Sequence, residues 1–147
     1  MSISQPHPPL RLTLAKRYNA PRHEVFAAWT DPASLRQWLC PVGGQVAFVA
    51  ADVRVGGSFR LDMQFGTVIY THTGVYREIR PPEKLVFTWI SETTQQQETV
   101  VTVELFARGE QTELVLTHER FPNAESARNH DQGWQSVLSR LEQVLAP

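Results

Sequence analysis

The sequence predicts an α+β fold in which a curved antiparallel sheet of about six to seven strands surrounds a long C-terminal helix. Apolar and polar residues alternate in several segments between residues 10 and 119, and a period of two is typical of half-buried strands. From residue 124 to 145 the apolar spacing becomes three, four and seven, which is typical of an amphipathic helix. One helix is too narrow to cover so many strands, so we expect the sheet to curl around it.

Two short helices are predicted directly after the first strand. Residues 10–14 alternate leucine with polar side chains and form this strand. Pro21 suits the first position of a helix, where the missing N–H would have no helical partner. Asp31 followed by Pro32 predicts the cap and the first turn of a second short helix, which ends near Cys40.

Two hairpins are predicted with a defined register. Gly66 and Thr67 form a two-residue turn that pairs residue 65 with 68 and places Phe59 opposite Gly74, which leaves room for the ring or for a ligand. A second turn at residues 109–110 pairs Leu105 with Leu114. In this register apolar residues face apolar residues, and a slip of one residue would destroy the match.

The segment 85–91 is apolar on both faces, so its orientation stays open between two alternatives. Either Phe87 and Trp89 face inward, or Val86 and Thr88 do. Gly133 lies inside the last helix and is expected to mark a kink or a close packing contact.

Composition excludes several classes of protein. The 14 Lys and Arg residues nearly balance the 15 Asp and Glu residues, and the net charge of -1 argues against a nucleic-acid partner. No apolar run reaches the roughly 18 residues that a membrane span needs. The N-terminus shows no signal segment, so a cytoplasmic location is expected. We expect residues 1–9 to be a flexible tail and residues 10–147 to form a single domain.

No motif in the sequence predicts a catalytic residue, a metal or a cofactor. The histidines lack the short spacing of a zinc site, and the single cysteine, Cys40, has no identifiable base. Arg54 is more simply a partner for Asp52 than a ligand-binding group. Alternation predicts that Asp62 faces solvent and that Glu78 shares a face with Tyr76.

Five segments in order carry a family resemblance: PRHEVFAAWTDPASLRQW, DVRVGGSFRLDM, HTGVYREIRPPEKLVFTW, TVVTVELFARGEQTELVLTHERF and HDQGW. Together they resemble the SRPBCC, or START-like, superfamily. The branch is similar to the activator of the ninety-kilodalton heat-shock chaperone ATPase. The resemblance implies a helix-grip fold with a deep and mostly apolar cavity. Members of the superfamily carry lipids, bind hormones, cyclise polyketides or stimulate a chaperone, so the fold does not decide the activity.

We expect the cavity to be lined by inward-facing aromatic, aliphatic and histidine side chains. These are Trp38, Phe59, Leu61, Met63, Tyr70, His72, Tyr76, Phe87, Trp89, Val101, Val103, His118, His130, Trp134, Val137 and Leu138. The aromatic side chains suit a flat or lipid-like ligand, although each also suits an ordinary core.

The sequence leads to one predicted function and two alternatives. The first, which we predict, is a module that binds a small hydrophobic molecule, lipid-like or aromatic and polyketide-like, without a cofactor, as a monomer or a homodimer. The second is a cyclase or hydrolase that uses His72, His118, Tyr70 or Glu78 as acid or base in the same cavity. The third is a protein-interaction module with a chaperone partner, which the resemblance alone implies.

Overall fold

The computed structural model describes residues 10–145, so the predicted tail at residues 1–9 lies outside the described range. The elements follow one another as β1 (Arg11–Tyr18), α1 (Arg22–Thr30), α2 (Pro32–Trp38), β2 (Gln45–Ala51), β3 (Ser58–Phe65), β4 (Val68–Arg80), β5 (Lys84–Trp89), β6 (Thr99–Arg108), β7 (Gln111–Glu119) and α3 (Ala124–Leu145). A short 3-10 turn, Glu92–Thr94, connects β5 to β6.

The sheet has seven strands in the order β1-β7-β6-β5-β4-β3-β2, and every neighbouring pair is antiparallel. It curves around α3, which confirms the predicted architecture. The Tyr18 hydroxyl in β1 donates a 2.8 Å hydrogen bond to the carbonyl of Leu138 in α3. This bond ties the edge of the sheet to the helix across the core. Within residues 10–145 no helix is long and apolar enough to cross a membrane.

Both predicted hairpin registers are confirmed. Phe65 pairs with Val68 at the first turn, and Leu105 pairs with Leu114 in the second hairpin. Gly74 lies opposite Phe59, and a Cβ atom at this glycine would clash with the Thr88 carbonyl and with the phenylalanine ring. The ring therefore occupies the space that the glycine leaves.

The two short helices begin as their local sequence dictates, with one shift. The Asp31 side chain accepts a 3.0 Å hydrogen bond from the Ala33 N–H, and Pro32 is the first residue of α2. Pro21 is the N-cap of α1 and not its first residue, because its backbone is extended. The helix begins one residue later than the proline pattern predicts.

A bulge in β4 overturns the prediction for Glu78. Tyr76 pairs with Phe87, but the next pair is Glu78 with Val86, so the register shifts by one residue. The carboxylate of Glu78 therefore lies on the outer side, at 2.6 Å from Arg80 and 3.6 Å from Lys84. A bulge inserts one residue without leaving a distinct mark in the alternation pattern.

The prediction that Asp62 faces solvent is also wrong. Asp62 lies on the outer face of β3, as alternation requires, but it is only 7% exposed. Phe48 and Thr71 are its neighbours on the adjoining strands, and Arg60 contacts its carboxylate at 3.0 Å. These neighbours cover the carboxylate, and the hydrogen bond from Arg60 lowers its pKa.

Candidate functional site

A cavity of about 210 Å³ lies between the sheet and α3. Strands β3, β4 and β5 form one wall, and α3 forms the other. The segment after α2 and the 3-10 turn complete it. The residues that line the cavity are Leu39, Pro41, Met63, Phe65, Tyr70, His72, Trp89, Thr93, Asn129, His130, Gly133, Trp134 and Val137. None of these is Lys, Arg, Asp or Glu.

The cavity has a buried floor and an exposed rim. His72, Trp89 and Trp134 are at most 5% exposed and form the floor. Thr93 and Asn129 are exposed, so the cavity opens to solvent between the 3-10 turn and α3. A ligand that enters here meets polar side chains at the rim and aromatic rings below.

The predicted lining residues occupy three different places. Those on the cavity wall are Met63, Tyr70, His72, Trp89, His130, Trp134 and Val137. Phe59, Leu61, Tyr76 and Phe87 surround a separate inner cavity of about 20 Å³, of which Trp89 also forms a wall. Trp38, Val101, Val103, His118 and Leu138 are packed in the core and line neither cavity. The inward residues of β5 are thus Phe87 and Trp89.

Half of the lining residues that were not predicted lie in connections, and the others are Phe65 in β3 and Asn129 and Gly133 in α3. Leu39, Pro41 and Thr93 lie outside the long elements, where neither alternation nor helical spacing assigns a face. Gly133 is the informative case in α3, because a Cβ atom there would meet only the Pro41 ring, at 3.8 Å. Close packing does not account for this glycine, and its unfavourable place inside a helix was its only signal in the sequence.

The core histidine His118 is part of a chain of hydrogen bonds across four elements. The Trp134 indole N–H donates to His118 Nδ1 at 3.0 Å. Nδ1 must therefore be unprotonated, so Nε2 carries the hydrogen and donates to the Thr99 hydroxyl at 2.7 Å. That hydroxyl donates to the Trp89 carbonyl at 2.5 Å. Both nitrogens of the ring are engaged, and the chain fixes the indole of Trp134 on the cavity floor.

Two other ring nitrogens on the floor have no hydrogen-bond partner among the described residues: His72 Nδ1 and Trp89 Nε1. Their rings lie 4.8 Å apart, centroid to centroid. The carbonyls of Leu61 and Tyr70 are near enough to favour a protonated His72, but neither makes a well-formed hydrogen bond with it. Buried polar atoms without a partner are uncommon in native proteins and call for an explanation.

The third histidine of the site, His130, is held by the helix itself. Its Nδ1 donates to the Ser126 carbonyl at 2.8 Å, because a carbonyl can only accept. Nε2 is therefore the acceptor in the neutral ring, and the Thr93 hydroxyl lies 3.5 Å from it. This nitrogen is the one free to interact with a molecule near the rim.

The histidines of the site are neutral at pH 7. Burial lowers the pKa of His72 to about 4, and the nearby His130 lowers it further. Burial is also the main cause that lowers the pKa of His118, which falls well below its usual range, and of His130. Because the wall formed by residues 10–145 also contains no Lys, Arg, Asp or Glu side chain, this wall is uncharged at neutral pH.

The acid–base candidates do not converge in the described part of the chain. Both nitrogens of His118 are engaged, Glu78 lies outside, and no hydrogen bond joins Tyr70 to His72. Residues 10–145 also contain no group of three or more His, Cys, Asp or Glu side chains arranged to hold a metal ion. Cys40 is buried, and burial raises the pKa of its thiol to about 11.

The loop between α2 and β2, which carries Pro41 at the rim, is fastened to α3. Arg140 donates to the carbonyls of Cys40 at 2.8 Å and Gly44 at 3.2 Å. The Ser136 hydroxyl accepts a 2.8 Å hydrogen bond from the Val42 N–H. These hydrogen bonds hold the loop on both sides of Pro41 and thereby fix the position of Pro41 at the rim of the cavity.

A curved antiparallel sheet wrapped around a C-terminal helix, with a cavity between them, defines the helix-grip class. The family described as "Activator of Hsp90 ATPase homolog 1-like protein" matches residues 19–146, and the chain belongs to this family. No curated protein matches the chain significantly.

Solved structures agree with this assignment. Protein CV1439 from Chromobacterium violaceum is 26% identical with a TM-score of 0.87, and the alignment covers 94% of this chain and 98% of that one. The AHSA1 protein SPO3351 from Silicibacter pomeroyi is 27% identical with a TM-score of 0.82, covering 92% and 97%. PFC0360w from Plasmodium falciparum, described as an HSP90 activator, is 26% identical with a TM-score of 0.73, covering 92% and 96%.

Proposed function

We propose that the protein binds a small hydrophobic molecule in the cavity between the sheet and α3. The observation that carries the proposal is an uncharged cavity of about 210 Å³ with an aromatic floor and an open rim. Proteins of ordinary packing contain few voids larger than a water molecule. Membership of a superfamily whose fold commonly binds hydrophobic ligands supports the same conclusion.

The volume favours an aromatic ligand over a lipid. Sites for drug-sized ligands usually measure about 300–1,000 Å³, whereas an apolar cavity of about 150 Å³ already binds benzene. The present cavity of about 210 Å³ lies between these limits. It suits a molecule of one or two rings, and a long acyl chain would have to extend beyond the rim.

Gly133→Leu tests the proposal. The new leucine side chain begins at the rim of the cavity, where only the Pro41 ring is near its Cβ atom. Gln132→Leu is the matched control, since it adds the same side chain one residue away at an exposed position of α3. Titration with 2-naphthol, followed by tryptophan fluorescence, should give saturable binding for the wild type and for Gln132→Leu. Gly133→Leu should weaken binding at least tenfold.

Native mass spectrometry of the freshly purified protein complements this titration. A co-purified molecule that is present in the wild type and absent from Gly133→Leu would identify the ligand by mass. If Gly133→Leu binds 2-naphthol as tightly as the wild type, the cavity is not the binding site and the proposal is wrong.

A second candidate function is a protein-interaction module that acts on a chaperone. It is favoured by the description of PFC0360w as an HSP90 activator. Its test is the ATPase rate of an Hsp90-class chaperone with and without this protein. Stimulation that persists in Gly133→Leu would assign the activity to a surface and not to the cavity. An unchanged rate at saturating protein would reject this candidate.

A further inference from the structure

We propose that the cavity binds an aromatic molecule in one orientation, with its rings against the floor and a hydroxyl group at the rim, where Thr93 and Asn129 bind it. The inference rests on the proposed function and adds the class of ligand, which is an aromatic compound with a single polar end. Its basis is the distribution of polar atoms along the wall. Three nitrogen atoms of the floor are occupied or covered, whereas two polar side chains of the rim are exposed.

The floor offers these three nitrogens to no ligand. Trp134 Nε1 already donates to His118. Trp89 Nε1 and His72 Nδ1 have no hydrogen-bond partner among residues 10–145, and almost no part of either atom is accessible to water. A hydroxyl group on this floor would lose its hydrogen bonds to water, and these nitrogens would not replace them. An apolar ring does not have this cost, so the floor favours the apolar end of a ligand.

The rim carries polar side chains that a ligand can reach. Thr93 and Asn129 are both exposed, and both line the cavity. Ser126 and Asn129 lie three residues apart on α3 and are therefore neighbours on the surface of the helix. The Ser126 hydroxyl donates a 2.6 Å hydrogen bond to the Thr93 carbonyl. The two exposed side chains therefore border the same part of the rim.

Thr93 is held in place before a ligand binds. Its N–H donates to the Ser91 hydroxyl oxygen at 3.2 Å, and the two hydroxyl oxygens lie 2.7 Å apart. The other polar neighbour of the Thr93 hydroxyl, His130 Nε2, is 3.5 Å away, which is long for a hydrogen bond. A hydroxyl has one hydrogen and two lone pairs, so Thr93 keeps capacity for a ligand. The Asn129 amide both donates and accepts, which matches a hydroxyl group.

Three probes of equal size test the orientation: 2,6-dimethylnaphthalene, 6-methyl-2-naphthol and naphthalene-2,6-diol, with no, one and two hydroxyl groups. The first hydroxyl can lie at the rim, so at pH 7 it should change the dissociation constant by less than about threefold, because hydrogen bonds offset the loss of a methyl group. The second hydroxyl must then lie on the floor. It should weaken binding at least about tenfold. A cavity without a preferred orientation would show the same change for both replacements.

Thr93→Val removes a rim hydroxyl with little change in shape. It should weaken the binding of 6-methyl-2-naphthol relative to 2,6-dimethylnaphthalene about fivefold, as expected for one net hydrogen bond. Asn129→Leu is the second variant and should act in the same direction. Thr13→Val is the matched control, because Thr13 is an exposed threonine of β1 that does not line the cavity, and it should keep the wild-type ratio. The ratio of the two dissociation constants is the readout, so a general change in cavity size does not affect the result.

The outcomes separate this inference from the proposed function. If naphthalene-2,6-diol binds as tightly as 6-methyl-2-naphthol and Gly133→Leu blocks both, the cavity binds ligands but the inferred orientation is wrong. A ratio that stays at the wild-type value in both Thr93→Val and Asn129→Leu also overturns the inference. If neither 2-naphthol nor any of the three probes binds the wild type, the inference and the proposed function fail together.

Discussion

His118 accepts a hydrogen bond from the Trp134 indole and donates one to Thr99, so the ring is held neutral and in one tautomer. The Thr99 hydroxyl in turn donates to the carbonyl of Trp89. Trp89 and Trp134 both form the cavity floor. A histidine that does not reach the cavity therefore positions two residues that do.

Thr99→Val should destabilise the protein by about 1–3 kcal/mol. Valine has the same shape, but it leaves the His118 N–H without a partner in a fully buried site, at about 1–3 kcal/mol for this group. Thr99→Ser keeps the hydroxyl and should lose about 1 kcal/mol or less, as expected for one methyl group. Urea unfolding of the three proteins measures the difference. Equal stability of the two variants would contradict the network.

At the scale of the elements, the strands were predictable because alternation records which side of a sheet is buried. The pairing of Phe59 with Gly74 followed from the turn at Gly66, since a two-residue turn sets every later pair. Glu78 was misplaced because a bulge reverses the faces beyond it. Its position depends on tertiary curvature, which a pattern of hydrophobicity does not contain.

Arg140 connects α3 to a loop that is distant in the sequence, so no local sequence pattern indicates its role. Arg140→Gln should remove most of the hydrogen bonds from α3 to the loop that carries Pro41. Hydrogen bonds from a charged donor are each worth about 1.5–3 kcal/mol, so we expect a loss of about 1–3 kcal/mol after partial replacement by water.

Hydrogen exchange of the loop at residues 41–44 should also accelerate in Arg140→Gln relative to the wild type. Arg128→Gln, at an exposed position of the same helix, is the control and should change neither quantity. Unchanged exchange in Arg140→Gln would show that the loop is held by other contacts.

For the whole molecule, the buried histidines make stability depend on pH. The pKa of His72 is about 4 in the folded protein and about 6.5 in the unfolded chain, so the unfolded chain binds more protons between these values. Its contribution to stability is complete above pH 6.5 and is lost as the pH falls towards 4. Between pH 7 and pH 5 this loss is about 2 kcal/mol from His72 alone.

His72→Gln isolates this contribution. The free energy of unfolding should fall between pH 7 and pH 5 by about 2 kcal/mol less in this variant than in the wild type. His130 and Asp62 are the titratable neighbours of His72, and both remain in the variant. His23→Gln changes an exposed histidine of α1 and should keep the wild-type dependence. If the free energy of unfolding falls by the same amount between pH 7 and pH 5 in His72→Gln and in the wild type, His72 is not a buried neutral residue.

The candidate site was only partly predictable at this scale. The inward faces of β3, β4 and β5 followed from their alternation and from the hairpin turns. The position of the cavity did not, because a void forms where the side chains of a helix and a sheet fail to fill the space between them. Phe59 and Val103 face the same interior as Met63, yet Phe59 borders the small inner cavity and Val103 is packed in the core.

Methyl NMR tests the central claim, that the cavity between the sheet and α3 binds an aromatic molecule. The chain has two methionines, Met1 and Met63, and Met63 lines the cavity. Labelling with 13C-methyl methionine therefore gives at most two signals, and Met63→Leu assigns them. We predict that 2-naphthol shifts the Met63 signal by its ring current, saturably and in step with the tryptophan fluorescence. A Met63 signal that stays in place while 2-naphthol binds would contradict the account.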